Sequence, residues 1–163
     1  MPSVTVGGQT AQIVAAFPFQ VNALMPVKIA AGNATLQVSG PLGTATQSVT
    51  IQSAAPGIFA IVNQDGTLNS PSNPAQRGAY ILIFGTGLGV TTAQGSLQIT
   101  SAPVSVVVGG TAVKPSFAGL APGFPGLYQI NALIPPGATP GSAISVSLVE
   151  SGQTSNSVTV AIQ

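Results

Sequence analysis

Residues 79–90 read "AYILIFGTGLGV", an apolar run from Tyr80 to Phe84 that leads straight into Gly85, Gly87 and Gly89. Such a stretch opens a nucleotide-binding βα unit or marks a bend in an all-β fold, and the two imply different proteins. A phosphate-cradling loop needs glycines spaced G-x-G-x-x-G ahead of a helix, with an acidic residue about 20 positions on. Here the spacing is G-x-G-x-G, and the following "VTTAQGSLQIT" is strand-like and broken by a further glycine. No carboxylate lies between Asp65 and Glu150. The glycines therefore read as the bend that ends a strand, where positive φ or close backbone approach favours glycine.

The rest of the chain agrees. Its 163 residues include 20 Gly and 14 Pro, spread so evenly that no window is left for a long helix. Between these breaks lie short runs rich in Val, Ile, Thr and Phe. Several alternate with period two: "SVTV" (3–6), "TLQVS" (35–39), "QSVTIQ" (47–52), "VSVVV" (104–108), "AISVSLV" (143–149) and "NSVTVAI" (156–162). Many short alternating strands separated by turns predict an all-β sandwich or barrel.

Hydrophobic residues make up 45% of the chain and charged residues 3%, against roughly 25% in an ordinary soluble protein. Lys28, Asp65, Arg77, Lys114 and Glu150 are the whole charged set, and the formal net charge is +1. A surface of Ser, Thr, Gln and Asn with so little self-repulsion favours association with copies of itself. It does not suit nucleic acid, which needs clustered Lys and Arg. With no Cys and no His, disulfides, thiolate metal sites and imidazole catalysis are excluded. Mean hydropathy is positive, yet no run of about 18 apolar residues predicts a membrane-spanning helix. Aromatic residues, at 5%, are too few for the girdles of an outer-membrane barrel. The start "MPSV" has no basic segment leading into an apolar one, so no signal peptide is expected in this chain, which also reads as a segment of a longer one.

An internal repeat organises the strands. "VTVGGQTAQIVAAFPFQVNALMP" near the start returns as "VVVGGTAVKPSFAGLAPGFPGLYQINALIP" in the second half. Val21-Asn22-Ala23-Leu24-Met25-Pro26 matches Ile130-Asn131-Ala132-Leu133-Ile134-Pro135 at an offset of 109 (130 − 21). Gly32 matches Gly141, and Ser48-Val49-Thr50 matches Ser157-Val158-Thr159, at the same offset. Between these anchors the alternation slips by one residue, Leu36 and Val38 standing against Ile144, Val146 and Leu148, which predicts a bulge or a compensated insertion. The glycine pairs Gly7-Gly8 and Gly109-Gly110 stand 102 apart, so the second copy carries seven extra residues (109 − 102), placed around "LAPGFPGL". "RGAYILIFGTGLGV" precedes the second copy and has no counterpart ahead of the first "SVTVGG". The reading is a first, incomplete unit over 1–52, a connecting segment with an Asp-Gly turn over 53–77, and a second, complete unit over 78–163. Segment 53–62, "SAAPGIFAIV", is one candidate for the strand missing from the first unit.

The run "RGAYILIFGTGLG", "APVSVVVGGTAVKPSF", "GLYQINALIPPG" and "GSAISVSLVESGQTSNSVTV" resembles the IPT/TIG branch of immunoglobulin-like β-sandwiches. With "APGIF", "NQDGTLNSPSNPAQRG" and "FAGLAPGFPGLYQINA", nearly the whole chain is similar to an uncharacterised C-terminal domain family of large secreted acidobacterial proteins. The resemblance implies paired β-sandwich units in an exported protein and brings no established activity.

Few residues offer chemistry. Asn63, Asp65 and Asn69 in "NQDGTLN" supply oxygens, but calcium takes six to eight and usually several carboxylates, so this stretch reads first as an Asp-Gly turn and second as a weak calcium loop. A Ser–Lys nucleophile would fall at Lys114-Pro115-Ser116 or near Lys28, and a carboxylate pair would have to be Asp65 with Glu150. An intramolecular Lys–Asn isopeptide bond would need Lys28 or Lys114 desolvated beside an Asn, with Glu150 moving the proton for Lys114. Phe17, Phe19, Phe117, Tyr80 and Tyr128 are expected in the core rather than in a sugar-stacking platform. Phe124, between Pro122 and Pro125 in the glycine-rich 119–128 loop, is the aromatic side chain expected to face solvent and a partner.

No cofactor, metal or enzymatic activity is expected. The expected function is extracellular or cell-surface, structural or adhesive, with self-assembly into fibres by strand complementation between subunits, or docking to neighbouring domains of a longer chain. A carbohydrate- or cell-surface-binding module using the 119–128 loop is the alternative.

Overall fold

The alternating runs become antiparallel strands, because β-branched residues with period two pack one face of a pleated sheet and leave the other to Ser, Thr and Gln. The computed structural model describes residues 2–163, and no helix occurs among them. None therefore is long and apolar enough to cross a membrane.

The chain divides into two compact units, Met1–Ser53 and Ala54–Gln163. The first holds β1 (Ser3–Val6), β2 (Gln9–Thr10), β3 (Gln12–Phe17), β4 (Gln20–Leu24), β5 (Gly32–Gly40) and β6 (Gly43–Ile51). The second holds β7 (Gly57–Asn63), β8 (Tyr80–Thr86), β9 (Thr91–Gln94), β10 (Leu97–Thr100), β11 (Val104–Val108), β12 (Thr111–Val113), β13 (Phe117–Leu120), β14 (Tyr128–Leu133), β15 (Gly141–Glu150), β16 (Gln153–Thr154) and β17 (Val158–Ile162). The segment read as a connection supplies β7, which pairs with β8 from Gly57–Thr86 to Asn63–Ile81. "SAAPGIFAIV" therefore completes the second unit and not the first.

In the second unit one sheet runs β7-β8-β14-β13-β10-β9 and another runs β12-β11-β15-β16, with β17 also on β15. Ile81, Ile83 and Ile130 from the first sheet and Val106, Val146, Leu148 and Val160 from the second are fully buried in one cluster. This is a β-sandwich core, two apolar faces closed on each other. Loop 64–79 runs back along β17, where Ala75 exchanges backbone hydrogen bonds with Ala161 and Gln163.

In the first unit a four-stranded sheet, β2-β1-β5-β6, accompanies a separate two-stranded hairpin, β3-β4. Strand pairing bears out the repeat and corrects one anchor. Val4–Val38 and Val6–Leu36 in the first unit correspond to Val106–Leu148 and Val108–Val146 in the second. Gly32 pairs with Ile51 as Gly141 pairs with Ile162, so Ile51 and Val49 correspond to Ile162 and Val160. Val158 is thus not the partner of Val49; the sequence match lay one alternation away on the same face. The slip near Leu36 is a bulge on β15 between Gly141 and Ile144, absent from the regular β5–β6 ladder. The extra residues of the second copy lie in the β13–β14 connection, since Phe17–Gln20 corresponds to Gly119–Gln129.

Candidate functional site

The site is the outer edge of β4 with the apolar face around it. In the second unit, β14 pairs with β13 on one side and with β8 on the other. Its counterpart β4 pairs with β3 alone among the described residues. Side-chain exposure follows this difference position by position. Phe19 is 87% exposed where its counterpart Tyr128 is 8%, and Met25 is 56% exposed where Ile134 is 0%. Val21, Leu36, Val38, Val49 and Ile51 are only half-buried, while Ile130, Val146, Leu148, Val160 and Ile162 are sealed. In the first unit only Val4, Val6 and Ala11 are buried apolar side chains among the described residues. Val14, Phe17 and Val27 add to the exposed apolar set. Unpaired N–H and C=O groups beside such a face form a template for strand addition.

Phe17 and Phe19 are therefore not core residues. Phe17 ends β3 and Phe19 sits in the hairpin turn, the two rings stacked with centroids 6.3 Å apart and planes 18° from parallel. Tyr80 also lies at the surface, whereas Tyr128 is buried and Phe117 half-buried.

The opening glycines have a structural role. Gly87 and Gly89 take positive φ, and a Cβ at Gly87 would overlap the Ala55 carbonyl, which lies against it. A Cβ at Gly85 would meet the Gly57 carbonyl in the same way. Ala55 N donates to Gly87 O, Tyr128 Oη donates to Gly89 O, and the chain continues into β9 rather than a helix.

Asn63 Oδ1, Asn69 Oδ1 and one Asp65 carboxylate oxygen, Oδ1, are engaged internally. Asp65 Oδ1 accepts from Thr67 N at 3.0 Å and Thr67 Oγ1 at 2.6 Å, bonds that hold its carboxyl below the usual range. Asn63 Oδ1 accepts from Asn69 Nδ2 at 2.8 Å. Asn69 grips the edge of β17, accepting from Ala161 N at 2.7 Å and donating to Ala161 O at 3.0 Å. Asn156 grips β7 in the same two-point way, accepting from Ile58 N at 2.7 Å and donating to Ile58 O at 3.1 Å. Sequence reading passed over Asn156; its pairing with a residue 98 positions away depends on the bulged segment between β16 and β17.

Glu150 ends β15 and is 2% exposed, with no hydrogen-bond partner on Oε2. Burial pushes its carboxyl up to about 7. The Tyr128 phenol is also raised, first by its own burial and then by the Glu150 charge. Glu150 Oε2 has no partner, and Lys114 is exposed after β12, as Lys28 is exposed in the first unit. The desolvated lysine that an isopeptide bond needs is found at neither position. Ser116 Oγ donates to Asn131 O at 3.3 Å. Asp65 and Glu150 stand on opposite terms, one at the surface in a turn and the other buried in the sandwich.

Loop 119–128 is compact. Phe124 N donates to Ala121 O, Leu127 N to Phe124 O, and Ala121 N to Leu127 O, with Thr86 Oγ1 bonded to Gly126 O at 3.2 Å. Phe124 projects from it 63% exposed, beside exposed Pro122 and Pro125. Among the described residues no group of three His, Cys, Asp or Glu is placed to hold a metal ion. No family model matches the chain, and no curated protein sequence is similar to it.

Proposed function

We propose that the chain is a non-enzymatic structural protein of exported, surface-associated assemblies, whose first unit is completed by a β-strand from another polypeptide. One observation carries the reading: among the described residues the outer edge of β4 is unpaired, and side chains around it are exposed whose counterparts in the second unit are sealed. Complementation would pair that edge and cover the apolar face in one step. Nearly chargeless surfaces favour it, because few ions must be desolvated when copies pack together. A donor on one subunit and an acceptor on the next make a heterologous contact, which propagates head-to-tail into a fibre when the rotation does not close. The IPT/TIG resemblance supports an extracellular or cell-surface setting, with neighbouring domains of a longer chain as further donors. Light scattering across a concentration series, with electron microscopy of the same samples, tests the reading. Concentration-dependent growth and fibres are expected; a monodisperse monomer at every concentration, without fibres, defeats self-assembly.

A second reading rests on Phe124, an exposed aromatic on a compact, internally hydrogen-bonded loop, suited to stacking on a sugar or anchoring in a surface receptor. A glycan array probed with the chain and with Phe124→Ala tests it. Loss of a signal on substitution supports it, and an empty array removes the sugar.

A further inference from the structure

The second unit shows what kind of strand fits the first. β8 runs antiparallel to β14, with Tyr80 opposite Leu133, Ile81 opposite Ala132, Ile83 opposite Ile130 and Gly85 opposite Tyr128. Carried through the repeat, the facing positions in the first unit are Leu24, Ala23 and Val21 on β4 and Phe19 in the turn just before it. Ile81 and Ile83 are fully buried and belong to the core cluster that includes Val146 and Leu148. The counterparts of those two residues, Leu36 and Val38, are the half-buried side chains of the first unit. Both outer edges of the β3-β4 hairpin are open among the described residues, but they are not equal. β8 pairs with β14 at six positions, whereas β10 pairs with β13 at the single position Ile99–Gly119. The β4 edge is thus the one whose counterpart holds a full strand.

We infer that the occupant of the β4 edge is an antiparallel strand of the β8 type. It presents two β-branched apolar residues, two positions apart, to Ala23 and Val21, with a small residue opposite Phe19 and no charge along its length. The inference rests on the strand-acceptor reading above and specifies its partner. Absence of charge follows from the acceptor: Lys28 is the single charged side chain of the first unit, so nothing there selects an ionic partner. Register follows from the period of two, because a slip of one residue would turn both isoleucines away from the open face.

The test uses the full chain with a synthetic peptide of residues 79–90, carrying added terminal lysines for solubility. A control peptide carries Ile81→Thr and Ile83→Thr. Hydrogen exchange read by mass spectrometry should show amides of Gln20–Leu24 slowed at least about tenfold by the first peptide and unchanged by the control. Fibres, where the chain forms them, should shorten with the first peptide only. Unslowed exchange at saturating peptide, equal slowing by both peptides, or slowing at β3 or β6 instead of β4 overturns the inference. Fibres that persist with an unprotected β4 reject this strand chemistry and leave strand acceptance at another edge standing. Protection of β4 in a chain that never assembles upholds the strand chemistry and removes only self-assembly.

Discussion

Glu150 makes the stability of the second unit fall as pH rises through the weakly acidic range. Its carboxyl is 2% exposed, Oε2 has no partner, and burial moves its proton release from the ordinary 4.5 to about 7. The folded chain therefore holds a proton, between those two values, that the unfolded chain has already released. Stability is greatest below about 4.5, declines as pH climbs, and reaches its lower level above about 7, where the carboxylate stays charged inside the sandwich. At 1.36 kcal/mol per decade of proton affinity, the total loss is about 3 kcal/mol. Little else in the chain titrates there: histidine is absent, and Asp65 is lowered from 3.8, so its stabilising effect is lost only as pH falls below that range. The readout is equally selective, because Tyr80 and Tyr128 both lie in the second unit and no Trp is present. Urea unfolding followed by tyrosine fluorescence should give a lower midpoint at about pH 8 than at about pH 4.5. Glu150→Gln, which keeps the shape and removes the titration, should flatten most of that slope. A flat profile for the parent chain, or an equal slope in Glu150→Gln, would refute the reasoning.

Three further substitutions test other contacts with the same fluorescence assay. Asn156→Ala leaves both backbone groups of Ile58 without their side-chain partner and should cost about 2–3 kcal/mol, with a loss under 0.5 kcal/mol speaking against the clasp. Gly87→Ala puts a Cβ into the Ala55 carbonyl at a residue with φ of 78° and should cost at least about 3 kcal/mol or prevent folding; a near-native midpoint would disprove that close approach. Phe124→Ala, at an exposed loop tip, should stay within about 0.5 kcal/mol of the parent. A large loss there would mean that the ring packs against the fold.

What the sequence makes legible is set by how local the physics is. "VSVVV" and "AISVSLV" state their inward faces outright, and β11 and the second half of β15 bury the expected positions. The glycine run could be told from a phosphate loop because spacing and the next ten residues suffice. The repeat exposes the open β4 edge because two copies of one pattern can be compared directly. Long-range pairing is different. Nothing local in "GIFAIV" says that β7 joins β8 rather than the first unit, since any apolar strand fits either edge. Phe17 and Phe19 have core-like neighbours in sequence, yet both are exposed at the β3–β4 turn, which no local pattern announces. Asn156 and Glu150 lack a signature because their roles rest on what lies across the sandwich: a backbone pair for one and no partner for the other.

The asparagine clasps have a consequence for how such a protein ages. Asn69 and Asn156 each use a carbonyl oxygen to accept and an amide nitrogen to donate, so both halves of the group are committed. Neither clasp carries a charge to titrate or be screened by salt, in keeping with a chain of only five charged residues. Side-chain amides, however, hydrolyse slowly to carboxylates, and asparagine counts among the thermolabile residues. At Asn156 that single chemical event would remove the donor to Ile58 O and set a carboxylate against that carbonyl. Covalent decay at these two residues would then limit how long the fold lasts, alongside the depth of its free-energy well.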